Sequence, residues 1–211
     1  MAVNRHSRPI FVTLAAALAL CAGAADGVAA DAVGANENVM GSPKAPVTMI
    51  EYFSQACTAC AEFHTTVFPL LKAKYIDTGK VRYVMRLYPL FPVDGPAYKL
   101  DRCVPPARFF SAVDLLFRHQ REWDNAEYPV KDPHAGLIRL AQNLGLSAGR
   151  AEDCMNSKKL DASINQQAAE AQAHYDPVDT PSFVINGVKD MNGVSWNDIQ
   201  TTLDAAAKRG K

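Results

Sequence analysis

Two cysteines separated by two residues, Cys57-Thr58-Ala59-Cys60, stand between a run of β-branched and aromatic residues and the start of an apolar periodicity of three and four. A thiol at the start of a helix meets free backbone N–H groups and the positive end of the helix dipole, and both stabilise a thiolate. Cys57 is therefore expected to be the nucleophile. Cys60, one turn inside and more shielded, is expected to be the thiol that resolves a mixed disulfide formed at Cys57, so that the two close and reopen a Cys57–Cys60 redox disulfide. The same spacing has two other readings. It could be half of a zinc site, with His64 four residues after Cys60 as a third ligand. No second C-x-x-C or His-x-x-x-His follows, however, and Cys103 and Cys154 are not spaced to complete a tetrahedron, so no metal is expected. It could also be a plain structural disulfide, but so small a loop constrains the unfolded chain little.

Two further features bear on this pair. Glu51 shares a strand face with Val47, Met49 and Phe53. On a core face a carboxylate loses solvation and its pKa rises, which suits a group that accepts and returns the proton of Cys60; on an open face Glu51 would simply be solvated. Thr180-Pro181 lies just before the strand signal Phe183 to Ile185. A proline is tolerated at the first position of a strand. Taken with the order of elements, the better reading is a cis Pro181 facing the C-x-x-C, leaving the Thr180 backbone free to pair with a substrate chain as an added strand.

The elements that must position these residues are legible from periodicity. Val47 to Phe53 reads as a buried strand, Thr58 to Ile76 as a helix kinked at Pro69 and stopped by Gly79, and Val81 to Leu87 as a second strand. Such a strand-helix-strand unit implies a right-handed parallel crossover. Between 89 and 177 the pattern turns helical: Pro105 to Arg121, Pro133 to Leu144, Ser147 to Asn156 and Leu160 to His174. A hairpin follows, with Asn186-Gly187 as its turn and Val188 to Met191 as its second strand, and then a helix to about Lys208 opened by a Ser195/Asp198 capping box. The fold class expected is α/β: a mixed sheet in the order β-α-β, helical insertion, β-β-α, with one domain at 45–88 and 178–208, the insertion at 89–177 and a flexible lead-in at 31–44. Trp123, Trp196, Phe109 and Phe110 read as core, and His119, His134 and His174 as surface or capping residues without visible partners.

Charge and the N-terminus bound the setting. Lys plus Arg (22) equals Asp plus Glu (22), so no net field draws the chain to nucleic acid or an anionic membrane. Arg5 and Arg8 precede the apolar run from Ile10, which ends in small residues through Ala30, the order of a signal peptide over 1–30 cleaved at about 24–30. As an anchor, the 16 residues from Ile10 to Ala25 fall short of the roughly 20 that span a bilayer; a lipid-modified Cys21 is a third option, disfavoured by bulky Leu20. An exported chain would keep Cys57, Cys60, Cys103 and Cys154 in a compartment where disulfides persist. There Cys103 and Cys154, both in the helical insertion, most simply pair with each other as a structural disulfide.

The stretch from Gly41 to His64, together with Thr180 to Gly187, resembles the DsbA-like proteins of the thioredoxin superfamily, and the resemblance runs from about residue 41 to 205. It implies a thioredoxin fold with an inserted helical domain and a periplasmic thiol-disulfide oxidoreductase. Cys57, Cys60, Glu51 and Pro181 match the family's functional positions. The implied partners are unfolded or partly folded cysteine-containing proteins and a membrane redox protein, either a quinone-linked oxidase or a membrane reductant; no cofactor is implied. Isomerases of the superfamily often dimerise through an N-terminal domain, for which the roughly fifteen residues after the cleavage region leave no room, so a monomer is expected. One departure matters. The family usually has Pro-His between its cysteines, and the His stabilises the thiolate; this chain has Thr58-Ala59. A charged donor is roughly twice as strong as a neutral one, so a less depressed Cys57 pKa and a less oxidising couple are expected.

Overall fold

The computed structural model describes residues 33–34, 37–175, 179–191 and 193–209, together with Met1. Apart from Met1, the segment read as a signal peptide lies outside the described residues, Cys21 included. Among the described residues the strands Asn38–Met40 (β1), Val47–Phe53 (β2), Val81–Leu87 (β3), Ser182–Ile185 (β4) and Val188–Lys189 (β5) form one five-stranded sheet in the order β1-β3-β2-β4-β5. β2 and β3 run parallel and the other neighbours antiparallel, so the sheet is mixed and the expected β-α-β, β-β-α order holds. The hairpin turn is the one its sequence predicts: Asn186 and Gly187 both take positive φ, 47° and 84°.

The helices are Thr58–Thr66 (α1), Phe68–Leu71 (α2), Asp94–Cys103 (α3), Phe109–Arg118 (α4), Gln120–Trp123 (α5), Pro133–Asn143 (α6), Ala148–Met155 (α7), Lys158–Tyr175 (α8) and Trp196–Arg209 (α9). β2 is covered on both faces, which explains its apolar run without alternation. Val47, Met49 and Phe53 pack with Phe63 of α1, Val113 and Phe117 of α4, and Ile199 and Leu203 of α9. Ile50 and Tyr52 face the other way, against Ala171 and Tyr175 of α8. The insertion thus shares the core of the sheet through α4 and also closes its opposite face through α8. A second apolar cluster, built on Leu100, Trp123, Leu137 and Leu140, lies within the insertion.

Several boundaries depart from the sequence reading. The lead-in 31–44 contains β1, whose register on β3 pairs Val39 with Val84; three polar-flanked residues carry too short a pattern to be read as a strand. The helix expected over Thr58 to Ile76 breaks at Val67, two residues before Pro69, and ends as a π-helical turn at Lys72–Ile76. That expected over Pro105 to Arg121 is a 3₁₀ turn at Pro106–Arg108, then α4 and α5 separated at His119. α3 is not among the helices expected in the insertion; it carries Gly95 and Pro96, which fall in its first turn, where proline is accommodated. β5 is two residues long rather than four. At Ser195, Oγ accepts the Asp198 N–H as a cap requires, but the Asp198 carboxylate takes the Ser195 hydroxyl instead of its backbone N–H. His119 and His134 are not partnerless: they pair with Glu122 at 2.7 Å and Glu152 at 2.5 Å.

Cys103, at the end of α3, is bonded to Cys154 of α7, with Cα atoms 6.1 Å apart and a sequence separation of 51. The cross-link closes a long loop through the insertion. Replacing both cysteines by serine is expected to lower the unfolding free energy by about 2–4 kcal/mol, read as a lower urea midpoint.

Candidate active site

The end of β2 and the start of α1 build the site. Cys57 takes extended backbone angles, φ −78° and ψ 120°, and serves as the N-cap of α1, its Sγ accepting the Cys60 N–H at 3.4 Å. The Thr180–Pro181 peptide is cis, and the Thr180 carbonyl oxygen lies 3.4 Å from Cys57 Sγ, close enough to accept the thiol proton. That carbonyl is therefore engaged by Cys57 and not simply free. Both cysteines are reduced. Thr58 and Ala59 between them are exposed, whereas Cys60 is fully buried.

The two thiols ionise in opposite senses. Donation from the Cys60 thiol, reinforced by the Thr180 hydroxyl and the backbone N–H groups of Cys60 and Ala59, outweighs partial burial and holds Cys57 down at about 6 against an ordinary 9.0. The Thr180 hydroxyl has no hydrogen-bond partner among the described residues and so can turn to the thiolate. Burial pushes Cys60 well above 9.0, and the neighbouring Cys57 and Glu51 push it further in the same direction.

Glu51 is completely buried, in register between Met85 of β3 and Phe183 of β4. His64 Nε2 lies 3.2 and 3.1 Å from its two carboxylate oxygens, and the Tyr83 hydroxyl donates to one of them. The His64 ring is thus turned to Glu51, and among the described residues no group of three His, Cys, Asp or Glu side chains converges to hold a metal ion.

Sequence reasoning missed two residues of the insertion that hold the loop before Cys57. Asp94, at the first turn of α3, is fully buried: one carboxylate oxygen accepts the Ala56 N–H at 2.8 Å, the other accepts the Leu90 and Phe91 N–H groups at 2.8 and 2.9 Å, and the Ser54 hydroxyl donates to both. Burial raises its pKa against the pull of these donors. Gln120, opening α5, donates to the Gln55 carbonyl at 3.0 Å and the Cys57 carbonyl at 3.1 Å. An aspartate closely following Pro89 and Pro92 is a signal that could have marked the first; Gln120 carries none.

Residues 34–205 match the family model described as Thioredoxin. The chain is 33% identical over 177 residues to a protein of Rickettsia conorii provisionally named protein-disulfide oxidoreductase, covering 83% of this chain and 62% of that protein. It therefore spans less than two thirds of the length of this relative. Among solved structures it is similar to alpha-DsbA1 of Wolbachia pipientis, with a TM-score of 0.75 and 29% identity, over 84% of this chain and 94% of that one. BdbD of Bacillus subtilis shares the fold at a TM-score of 0.71 and 20% identity, over 82% and 93% of the two chains.

Alkylation of the reduced protein should modify Cys57 with a rate that rises through a pKa of about 6, while Cys60 stays unmodified. Because folding favours the Cys57 thiolate, this group adds stability that is complete above 9.0 and is lost as pH falls from there through about 6. Cys60 acts oppositely, removing stability as pH rises above 9.0. Urea titrations of the reduced protein should show the gain between these limits, and Cys57→Ser should abolish it. Asp94→Ala, which strands three backbone N–H groups and the Ser54 hydroxyl, is expected to cost about 3 kcal/mol or more, measured by the same titration.

Proposed function

We propose that this chain, which belongs to the thioredoxin superfamily on its DsbA-like branch, is an exported protein thiol-disulfide oxidoreductase that oxidises cysteine pairs in unfolded or partly folded proteins. The observation that carries this reading is the opposed ionisation of two thiols three positions apart, Cys57 at about 6 and Cys60 well above 9.0. A substrate thiolate attacks Cys57 Sγ, since Cys60 is wholly buried. The Cys57–Cys60 bond breaks, its electron pair leaves on the Cys60 sulfur, and Glu51 supplies the proton that this sulfur requires. The second thiolate of the substrate then attacks the substrate sulfur of the mixed disulfide and expels Cys57 as a stabilised thiolate. A low leaving-group pKa favours that expulsion and stabilises the reduced enzyme. The substrate leaves oxidised and the Cys57/Cys60 pair reduced, to be reoxidised by a membrane redox partner, for which a quinone-linked oxidase is suited.

Thr180 and Pro181, against Cys57, are the proposed contacts for the substrate backbone. Export to the periplasm rests on the basic, apolar, small order of residues 1–30 and on a Cys103–Cys154 disulfide, which calls for an oxidising compartment. Within the described residues no helix is long and apolar enough to cross a membrane. The protein is taken to act as a monomer and to need no cofactor.

The groups that stabilise the Cys57 thiolate are all neutral. This favours a couple less oxidising than that of a relative with an imidazole between its cysteines. Equilibration in glutathione buffers, with the thiols counted by alkylation and mass spectrometry, should place the potential between about −270 mV, as in thioredoxin, and about −120 mV, as in DsbA. Cys60→Ser should accumulate the mixed disulfide and Cys57→Ser should oxidise nothing. A potential at the thioredoxin end would reassign the site to reduction or isomerisation with a membrane reductant; no reversible exchange would reassign the fold to non-catalytic peptide binding.

A further inference from the structure

Glu51 is fully buried, so a proton it gives to Cys60 has to be replaced along some route. Its contacts define one. His64 lies one turn after Cys60 on α1, and its Nε2 faces both Glu51 oxygens; with the carboxylate ionised, Nε2 carries the proton and donates. The ring is held between Phe68 and Phe117, at centroid distances of 4.8 and 4.7 Å, each inclined by 31°, so its plane is fixed by aromatic surfaces on both sides. Among the described residues no group hydrogen-bonds Nδ1. His64 is itself buried, 4% exposed, but its edge borders solvent-accessible space: with Lys72, Ser111 and Asp114 it lines an open pocket of about 240 Å³.

We propose that His64 is a positioning residue that carries protons between Glu51 and this pocket, so that the buried carboxyl is recharged from solvent in each turnover. This rests on the reading of Cys57 and Cys60 as an exchanging pair. When the Cys57–Cys60 bond breaks, the Cys60 sulfur takes the electron pair and the proton of Glu51. Glu51 regains a proton from His64 Nε2, and Nδ1 takes one from the pocket. The reverse sequence removes the Cys60 proton when Cys60 attacks a mixed disulfide at Cys57. The titratable and charged groups around the imidazole are Cys60 on its own helix, Glu51 from β2, Tyr83 from β3, Lys72 from the π-helical turn and Asp114 from α4. The last two are drawn outward, Lys72 to Asp77 at 2.7 Å and Asp114 to Arg118 at 2.8 Å, which leaves Glu51 as the ionic partner of His64.

The test is the unimolecular step in which Cys60 displaces glutathione from Cys57, started with oxidised glutathione and followed against pH by acid quench and mass spectrometry. His64→Gln keeps a donor toward Glu51 but takes up no proton. It is expected to slow the step roughly tenfold or more, a part of the usual gain from proton transfer, and to flatten the pH profile. His64→Ala should be as slow, and added imidazole should restore it where pyrazole, of the same shape but scarcely basic, does not. A wild-type rate and profile in the Gln variant, or equal rescue by the two heterocycles, would overturn the proposal. Should neither variant fold, the ring 15N signals of His64 in the wild-type protein at one fixed pH decide: they should report a different placement of protons on Nε2 and Nδ1 in the oxidised and reduced states, and identical signals refute the relay. A wild-type protein that neither forms nor resolves the mixed disulfide would sink the exchange reading itself, whereas normal resolution with an indifferent Gln variant would sink only the role of His64.

Discussion

Helix α1 is capped by sulfur. Cys57 occupies the position where Ser, Thr, Asp or Asn usually accepts the first free N–H groups of a helix, and its Sγ takes the Cys60 N–H at 3.4 Å. An oxygen would end the helix as well, but it has no second redox state. With sulfur in that place, the helix start that stabilises the cap also stabilises the thiolate, and the 3.6-residue turn carries the second thiol inward, away from water. The difference between an accessible leaving group and a shielded one therefore follows from a single turn of helix against a sheet.

That cap has to be presented at a fixed angle, and the groups that fix it come largely from the insertion. Asp94 gathers Ser54, Ala56, Leu90 and Phe91 around one buried carboxylate, tying the chain just before Cys57 to the chain just after β3. Gln120 holds the Gln55 and Cys57 carbonyls from the other side. A buried charge is costly unless its lone pairs are filled, and here donors fill both oxygens. The insertion is thus more than a cover: α3 and α5 brace the cysteine loop, while α4 supplies Phe117 against His64 and the core of the sheet.

What was legible in the sequence was whatever has a short period or a fixed chemistry. The apolar run of β2, the Asn186-Gly187 turn and the helix after Cys57 each announce themselves within ten residues. The core face of β2 likewise put Glu51 among Val47, Met49 and Phe53, and Glu51 is buried there. What escaped depends on contacts across the chain. The Glu51–His64 contact joins a strand to a helix 13 residues on, and the spacing of His64 from the cysteines suggested a metal ligand instead. Gln120 meets the cysteine loop from 63 residues away. β1 exists because β3 offers it an edge; the break at Val67 is the one Pro69 imposes, displaced two residues upstream so that the proline falls in the first turn of α2, whereas the break at His119 has no such residue beside it.

The exchange of Pro-His for Thr58-Ala59 turns on where the stabilisation of the thiolate originates. For Cys57 the largest contribution is donation from the Cys60 thiol, ahead of the Thr180 hydroxyl and the backbone N–H groups. The same hydrogen bond appears in Cys60 as a force that holds its proton on. Lowering one pKa and raising the other are thus a single act, the sharing of one proton between two sulfurs, and the pair titrates as a unit. Burial strengthens this sharing, because a neutral donor gains as the local dielectric falls. The side chains of Thr58 and Ala59 lie on the exposed side and take no part in holding the thiolate, to which Ala59 contributes only its backbone N–H. The ionisation of the pair is therefore set from beneath, by Cys60 and the Glu51 it faces, and from across the cleft by Thr180, and it survives without a charged group between the cysteines.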